Sequence, residues 1–303
     1  MLNKNPLITI ILPVYNGEKT LKATLESLLA QTFCDFELLI GIDGTEDCSK
    51  SIAENFKDRR MQIFENPINV GLGRNVNKLI SLANLESKYI AMAEQDDVYV
   101  PERLEWQLEV MEEHPEVGLV SGIAEFVSDT SKILFPGLLV HGKQFPQGEE
   151  LFQFLYINQL KVVNTCMMLR KSIHKQHQLT FTDKYLNMNV DWDYILRFSL
   201  VSKVYGIPKK LVSINRKTAN QSVTTDKWKQ FKLSRQLLVD FKDEFPQLIT
   251  NKDYKKALKM ERKIELGYHS KIGIIFYGSC FFLIYLDFYF IKYIIVRIKK
   301  YLS

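Results

Sequence analysis

The chain has 303 residues, 46% hydrophobic and 25% charged, which allows one large domain or two smaller ones and excludes wholesale disorder. Its net charge of +5 is mild, and the basic residues stay dispersed until the C-terminal third, so a nucleic-acid-binding protein is not expected. Four scattered cysteines (Cys34, Cys48, Cys166, Cys280) include no CxxC pair, which excludes a disulfide framework or zinc site and fits a reduced cytoplasm; no secretory leader is expected either.

Leu7 to Val14 is a nearly continuous apolar run, the pattern of a strand covered on both faces. Tyr15-Asn16-Gly17 ends it, and Glu18 to Ala30 places Leu21, Leu25, Leu28 and Leu29 at helical spacing. A second run, Phe36 to Ile42, stops at the acidic turn Asp43-Gly44-Thr45-Glu46-Asp47. A short helix over Ser49 to Phe56, a strand over Met61 to Phe64 and a loop through Asn69 and Gly71 follow. The spacing predicts a helix from about Arg74 that buries Val76, Leu79, Ile80 and Ala83. Tyr89 to Ala93 reads as a fourth buried strand and runs into Glu94-Gln95-Asp96-Asp97. A helix from Pro101 to about His114 and a fifth strand, Val117 to Ile123, complete the regular part.

Strands alternating with helices predict parallel pairing with right-handed crossovers, and ligands then bind outside the carboxyl ends of the strands. The polar residues fall at those ends: Asn16, Asp43, Asn69 with Gly71, and Asp96 with Asp97. Crowded carboxylates with little local cation suit a hard divalent ion; solvated turn acids are the plainer alternative.

Beyond Phe126 the pattern is irregular, with loops suggested at Gly137, Gly142, Pro146 and Gly148. Asn164 to Arg170 and Leu211 to Ile214 are short strand candidates, and Val190-Asp191-Trp192-Asp193 opens a helix. Trp192 is expected in the core or as a wall for a sugar, and His141, His174 and His177 on the surface. Two amphipathic helices are expected between Asp226 and Gly267. Ile272 to Ile291 is apolar and aromatic with one charge, Asp287, and Lys292, Arg297, Lys299 and Lys300 follow. Its length would allow a membrane span, but Asp287 and the basic end argue for a helix or helical hairpin lying in the cytoplasmic interface; a buried helix or oligomer contact is the alternative.

Ile8 to Glu18 (ITIILPVYNGE), Leu25 to Phe33 (LESLLAQTF), Asp35 to Ile40 (DFELLI), Asn69 to Asn75 (NVGLGRN) and Gln95 to Leu104 (QDDVYVPERL), in that order, resemble glycosyltransferase family 2. The match is dense over residues 7 to 123 and thinner to about 222. It implies a glycosyltransferase A-type α/β fold, Rossmann-like and mostly parallel, and an inverting enzyme that uses a nucleotide sugar with Mn2+ or Mg2+. By that resemblance Pro13 and Tyr15 flank the base, Asp43 hydrogen-bonds uracil or thymine, and Arg74 sits near the nucleotide. Asp96 and Asp97 occupy the metal motif, with Glu94 where the family usually has Asp; Asp96 also serves the nucleotide. Asp191 takes the acceptor proton, with Asp193 as the substitute and a helix cap as the structural alternative. Arg216 lies in a loop near the diphosphate.

The expected organisation is a catalytic domain over 1–225 (nucleotide-sugar half 1–125, acceptor half 126–225) and a helical tail over 226–303 whose segment 272–298 associates with the membrane. The expected partners are a nucleotide-sugar donor, a lipid-linked saccharide acceptor and the cytoplasmic face of the cell membrane, with oligomeric state open. The departures at Ile42, Glu94 and Val190 keep a nucleotide-binding or scaffold protein with degenerate chemistry as the alternative, and a nucleotidyltransferase on a similar fold as a third reading.

Overall fold

The first apolar run becomes strand β1 (Ile8–Val14), buried along its whole length between helices and two neighbouring strands. A computed structural model of the chain describes residues 5–135, 139–140, 142–159, 162, 164–216 and 226–302. Contacts divide it into two compact units, Met1–Phe152 with Lys161–Val223 and Gln153–Leu160 with Thr224–Ser303.

In the first unit β1 is followed by α1 (Leu21–Leu29), β2 (Phe36–Asp43), α2 (Ser49–Asn55), β3 (Met61–Asn66), α3 (Leu72–Leu82), β4 (Tyr89–Met92) and β5 (Asp97–Tyr99). Then come α4 (Arg103–Glu113), β6 (Val117–Val127), β7 (Lys132–Phe135), the two-residue strands β8 (Leu139–Val140) and β9 (Lys143–Gln144), and α5 (Gly148–Asn158), whose last turns belong to the second unit. A 3-10 turn (Asn164–Cys166), β10 (Met168–Arg170), α6 (Lys171–Gln176), α7 (Val190–Ser199) and β11 (Lys203–Asn215) complete it. The main sheet runs β3-β2-β1-β4-β10-β6-β11-β5, with β7 on β6. Strands β1 to β4 are mutually parallel, so their carboxyl ends share one edge. The leucines of α1 at positions 21, 25 and 28 are buried as their spacing predicts.

The sheet is nevertheless mixed. Strand β10 enters antiparallel between β4 and β6, and β5 is an antiparallel edge on β11. An antiparallel neighbour needs no crossover helix, so the chain returning through the 3-10 turn fills that slot directly. Asp97, expected in a loop, is the first residue of β5 and pairs with Ile214. The expected strand at 211–214 is the end of the 13-residue β11, whose register shifts near Ile207 and Lys210 obscure the alternation. The helix expected from Pro101 begins at Arg103, because the Pro101 carbonyl accepts the Thr32 amide at 2.9 Å and 101–102 form a turn. His174, expected on the surface, is buried and pairs through Nδ1 with the Tyr194 hydroxyl at 2.9 Å. Trp192 is wholly buried, which places it in the core.

The second unit contains α8 (Lys227–Glu244), α9 (Asn251–Leu266), α10 (Lys271–Tyr285) and α11 (Tyr289–Leu302). Thr250 and Asp253 form a reciprocal capping box at the start of α9. Helices α10 and α11 pack through Ile274, Phe281, Phe290 and Ile294 against Leu266. The apolar segment is thus two helices broken at 286–288, and no helix among the described residues is long and apolar enough to cross a membrane.

Candidate active site

The four parallel strand ends are tied together by side chains of their own loops. After β1, Asn16 takes a left-handed backbone (φ 50°), as Asn tolerates. Its Oδ1 accepts from the Thr45 hydroxyl at 2.9 Å and the Glu46 amide at 3.2 Å. Glu18 N donates to Asp47 Oδ2 at 2.9 Å. Gly44 (φ 61°) lets the β2 loop pass against the next one: a Cβ there would lie 2.2 Å from Asn69 N.

Asp43, 3% exposed, is held from three sides. Oδ1 accepts from Asn66 Nδ2 at 2.8 Å and Val70 N at 3.0 Å, and Oδ2 accepts from Gly71 N at 3.0 Å. The carboxylate therefore shapes the 66–71 loop at the start of α3. Pro13 is buried in β1 opposite Gly41, whereas Tyr15 is half exposed just beyond it. Arg74, in the first turn of α3, extends to Asp183, Nε to Oδ2 at 2.6 Å.

At the end of β4 the acids converge. Ligand oxygens of Glu94, Asp96 and Asp97 lie within 4.8 Å of one another. Glu94 and Asp96 are half-buried, while Asp97 has no exposed surface and, among the described residues, no hydrogen bond of ordinary geometry to its carboxylate, although the Thr165 hydroxyl lies near enough to favour its charged form. Burial and the Asp96 charge push the Glu94 carboxyl up to about 7, and Asp191 adds to the rise. Burial and the Glu94 charge drive Asp97 well above the usual carboxylate range. Buried acids that repel one another are stable as carboxylates only with compensating positive charge. An all-oxygen set containing a buried carboxylate with no paired cation fits Mg2+ or Mn2+.

The chain supplies part of that compensation. Arg216, at the end of β11, lies near enough for its charge to lower both Glu94 and Asp97, with its backbone amide on Val127 O at 2.8 Å. Asn164 Nδ2 donates to Glu94 Oε1 at 3.2 Å. Arg103, fully buried, donates to the Met92 carbonyl at 2.7 Å and lies 4.6 Å over the Tyr99 ring. The Tyr99 hydroxyl accepts from Glu94 N at 2.7 Å and pairs closely with Thr165.

Asp191 stands in the first turn of α7 and its charge reaches Glu94. It does not cap the helix: Asn189 is the N-cap residue, and Asp191 Oδ1 accepts only the adjacent Trp192 amide among the described contacts, at 2.9 Å. Leu186, Asn187 and Asn189 hold left-handed backbones just before it, and Asn187 Oδ1 accepts Leu72 N at 2.8 Å, which ties the start of α7 to α3. Asp193 is 3% exposed and ion-paired to Arg197 at 3.0 Å.

The structure thus brings Glu94, Asp96, Asp97, Asp191 and Arg216 to one place. Arg74 is directed to Asp183 and Asp193 to Arg197. His141, expected on the surface, lies outside the described residues. Sequence reasoning assigned no role to Gln95, Tyr99, Arg103 or Asn164; the first three lie inside the Gln95 to Leu104 motif, which was their signal, and Asn164 had none.

Comparison with known proteins gives the family and the fold. Residues 9–178 match Glycosyl transferase family 2. The UDP-Glc:alpha-D-GlcNAc-diphosphoundecaprenol beta-1,3-glucosyltransferase WfgD of Escherichia coli is 25% identical over 240 residues, 78% of this chain and 86% of WfgD. Among solved structures, S. aureus TarS 1-349 superposes with a TM-score of 0.63 at 15% identity, over 86% of this chain and 73% of TarS, and TarS has also been solved with UDP and with UDP-GlcNAc. The mannosyltransferase PcManGT of Pyrobaculum calidifontis, in complex with GDP-Man and Mn2+, gives 0.55 at 11% identity, over 96% and 83%. The fold is the glycosyltransferase A-type.

Proposed function

This chain belongs to glycosyl transferase family 2 and is a glycosyltransferase, and from that premise we propose that it moves one sugar from a UDP- or dTDP-linked donor to a hydroxyl of a lipid-linked saccharide, with inversion. The observation that carries this reading is the meeting of Glu94, Asp96 and Asp97 with Asp191 and Arg216 at the strand ends. Asp96 and Glu94 present the accessible oxygens for a divalent cation, with the buried Asp97 behind them. When bound, that cation supplies Lewis-acid neutralisation of the leaving diphosphate. Arg216 adds positive charge on the same side. Pro13 and Tyr15 border the base, and Asp43 meets it either through Oδ2, which has one partner, or through the loop it shapes. Arg74 reaches the nucleotide only by leaving Asp183. Asp191 removes the acceptor proton as the new bond forms.

WfgD's name supports the lipid-linked acceptor and the TarS complexes support a uridine nucleotide. The helical tail holds the enzyme at the cytoplasmic face of the membrane, and surface polysaccharide assembly is the setting. The test is release of nucleoside diphosphate from a panel of UDP- and dTDP-sugars with Mn2+ and a polyprenyl-diphosphate saccharide. Acceptor-dependent release supports the reading. Binding without turnover for every donor and acceptor supports the degenerate alternative, and release of pyrophosphate a nucleotidyltransferase.

A further inference from the structure

The break between α10 and α11 is built of residues that water does not favour. Leu286 is 76% exposed, Phe288 75%, and Leu283 and Ile284 in the preceding turn are also exposed. Leu286 sits at φ 49°, ψ 40°, a left-handed position where Gly or Asn is conformationally cheaper. A leucine kept there, in solvent, is disfavoured twice: by its backbone and by its exposure. Between them Asp287 is the single acid after Glu265, and it is taken up by two lysines of α9, Lys263 at 2.9 Å and Lys259 at 3.2 Å. Lys259 and Lys263 also line a recess of about 150 Å³ with Lys256, Met260 and Ile157. Further along α11 stand Lys292 and Arg297.

We propose that the 286–288 turn is the membrane insertion point of this chain, its apolar tip entering an anionic phospholipid bilayer while the α9 lysines neutralise Asp287 and face the headgroup phosphates. The inference rests on the membrane-surface reading given above and locates it. At about 1.5 Å per residue, α10 is roughly 22 Å long, short of a hydrocarbon core of about 30 Å, so the hairpin enters one leaflet rather than crossing. A second copy of this chain is the less suitable occupant, since a symmetric contact would set the same lysines and arginine against themselves, whereas anionic headgroups complement them.

The experiment is flotation of the full chain with phosphatidylcholine vesicles, with and without phosphatidylglycerol. The wild type is expected to float with the anionic vesicles. The double variant Leu286→Asn, Phe288→Asn should lose about tenfold or more of its partitioning, with a melting temperature equal to or above wild type because Asn suits the left-handed turn. Leu85→Asn, an equally exposed leucine in the other unit, should change nothing. If the double variant floats like wild type, the insertion point is wrong while the membrane reading stands. If wild type floats with neither vesicle and sizes as a dimer that the double variant dissociates, both are overturned.

Discussion

Gln95 and Tyr15 grip one another through two hydrogen bonds. Tyr15 N donates to Gln95 Oε1 and Gln95 Nε2 donates to Tyr15 O, both at 2.8 Å. One amide side chain inside the acidic motif thereby fixes the loop that carries the half-exposed Tyr15 ring. The fit is close: a Cβ on Gly17 would come 2.6 Å from Gln95 Oε1.

Gln95→Ala removes two hydrogen bonds worth about 1 kcal/mol each. Part of that loss falls on the nucleotide-bound state, which needs the loop ordered. UDP affinity in the presence of Mn2+ is expected to fall roughly three- to tenfold, and the melting temperature by a few degrees. Calorimetric titration checks this; unchanged affinity would mean that the loop does not border the base.

Asp191 is the position at which binding and transfer should separate. Asp191→Asn leaves the shape of the α7 turn and its Trp192 amide contact but cannot take a proton. Turnover is expected to fall about 10²- to 10⁴-fold with donor affinity within about twofold. Full activity would move the base elsewhere. The ion pair to Arg197 makes Asp193 a poor replacement.

His174 gives a pH signature in stability rather than in turnover. Burial pushes its imidazole from 6.5 down to about 4. In the unfolded chain it binds a proton near pH 6.5, so between about 6.5 and 4 the unfolded state holds more protons and stability falls as pH falls. The contribution is up to about 3 kcal/mol across that window. Urea denaturation of wild type and His174→Gln at pH 7 and pH 5 checks this. The variant is expected to lose less stability between the two; equal losses would show that His174 is not the group responsible.

The parallel half of the fold was legible because β1, β2 and β4 are largely apolar runs that end in polar loops, as at Val14 and Asp43. The antiparallel strands were not. Strand β10 has three residues, and nothing in Met168-Leu169-Arg170 specifies between which strands it inserts. Strand β5 begins with Asp97, a residue that disfavours strands, and pairing with β11 overrides that preference. At the site, the acids could be read because they adjoin in sequence. Asn164 could not, since it reaches Glu94 from 70 positions away. Nor could the contacts that Gly71 makes to Asp43 and Asp183 makes to Arg74, from distant stretches of the chain.

The central claim is that Glu94, Asp96 and Asp97 hold a divalent cation on which nucleotide binding depends. It is tested most directly by calorimetric titration of UDP and dTDP into the wild type with Mn2+, into the wild type with a chelator, and into Asp96→Asn with Mn2+. The account predicts binding in the first case and a loss of at least about tenfold in the other two, since changing even an outer-shell partner of a metal ligand typically costs about 10- to 100-fold in metal affinity. Equal affinity in all three would contradict it and leave the acidic cluster without the role assigned to it.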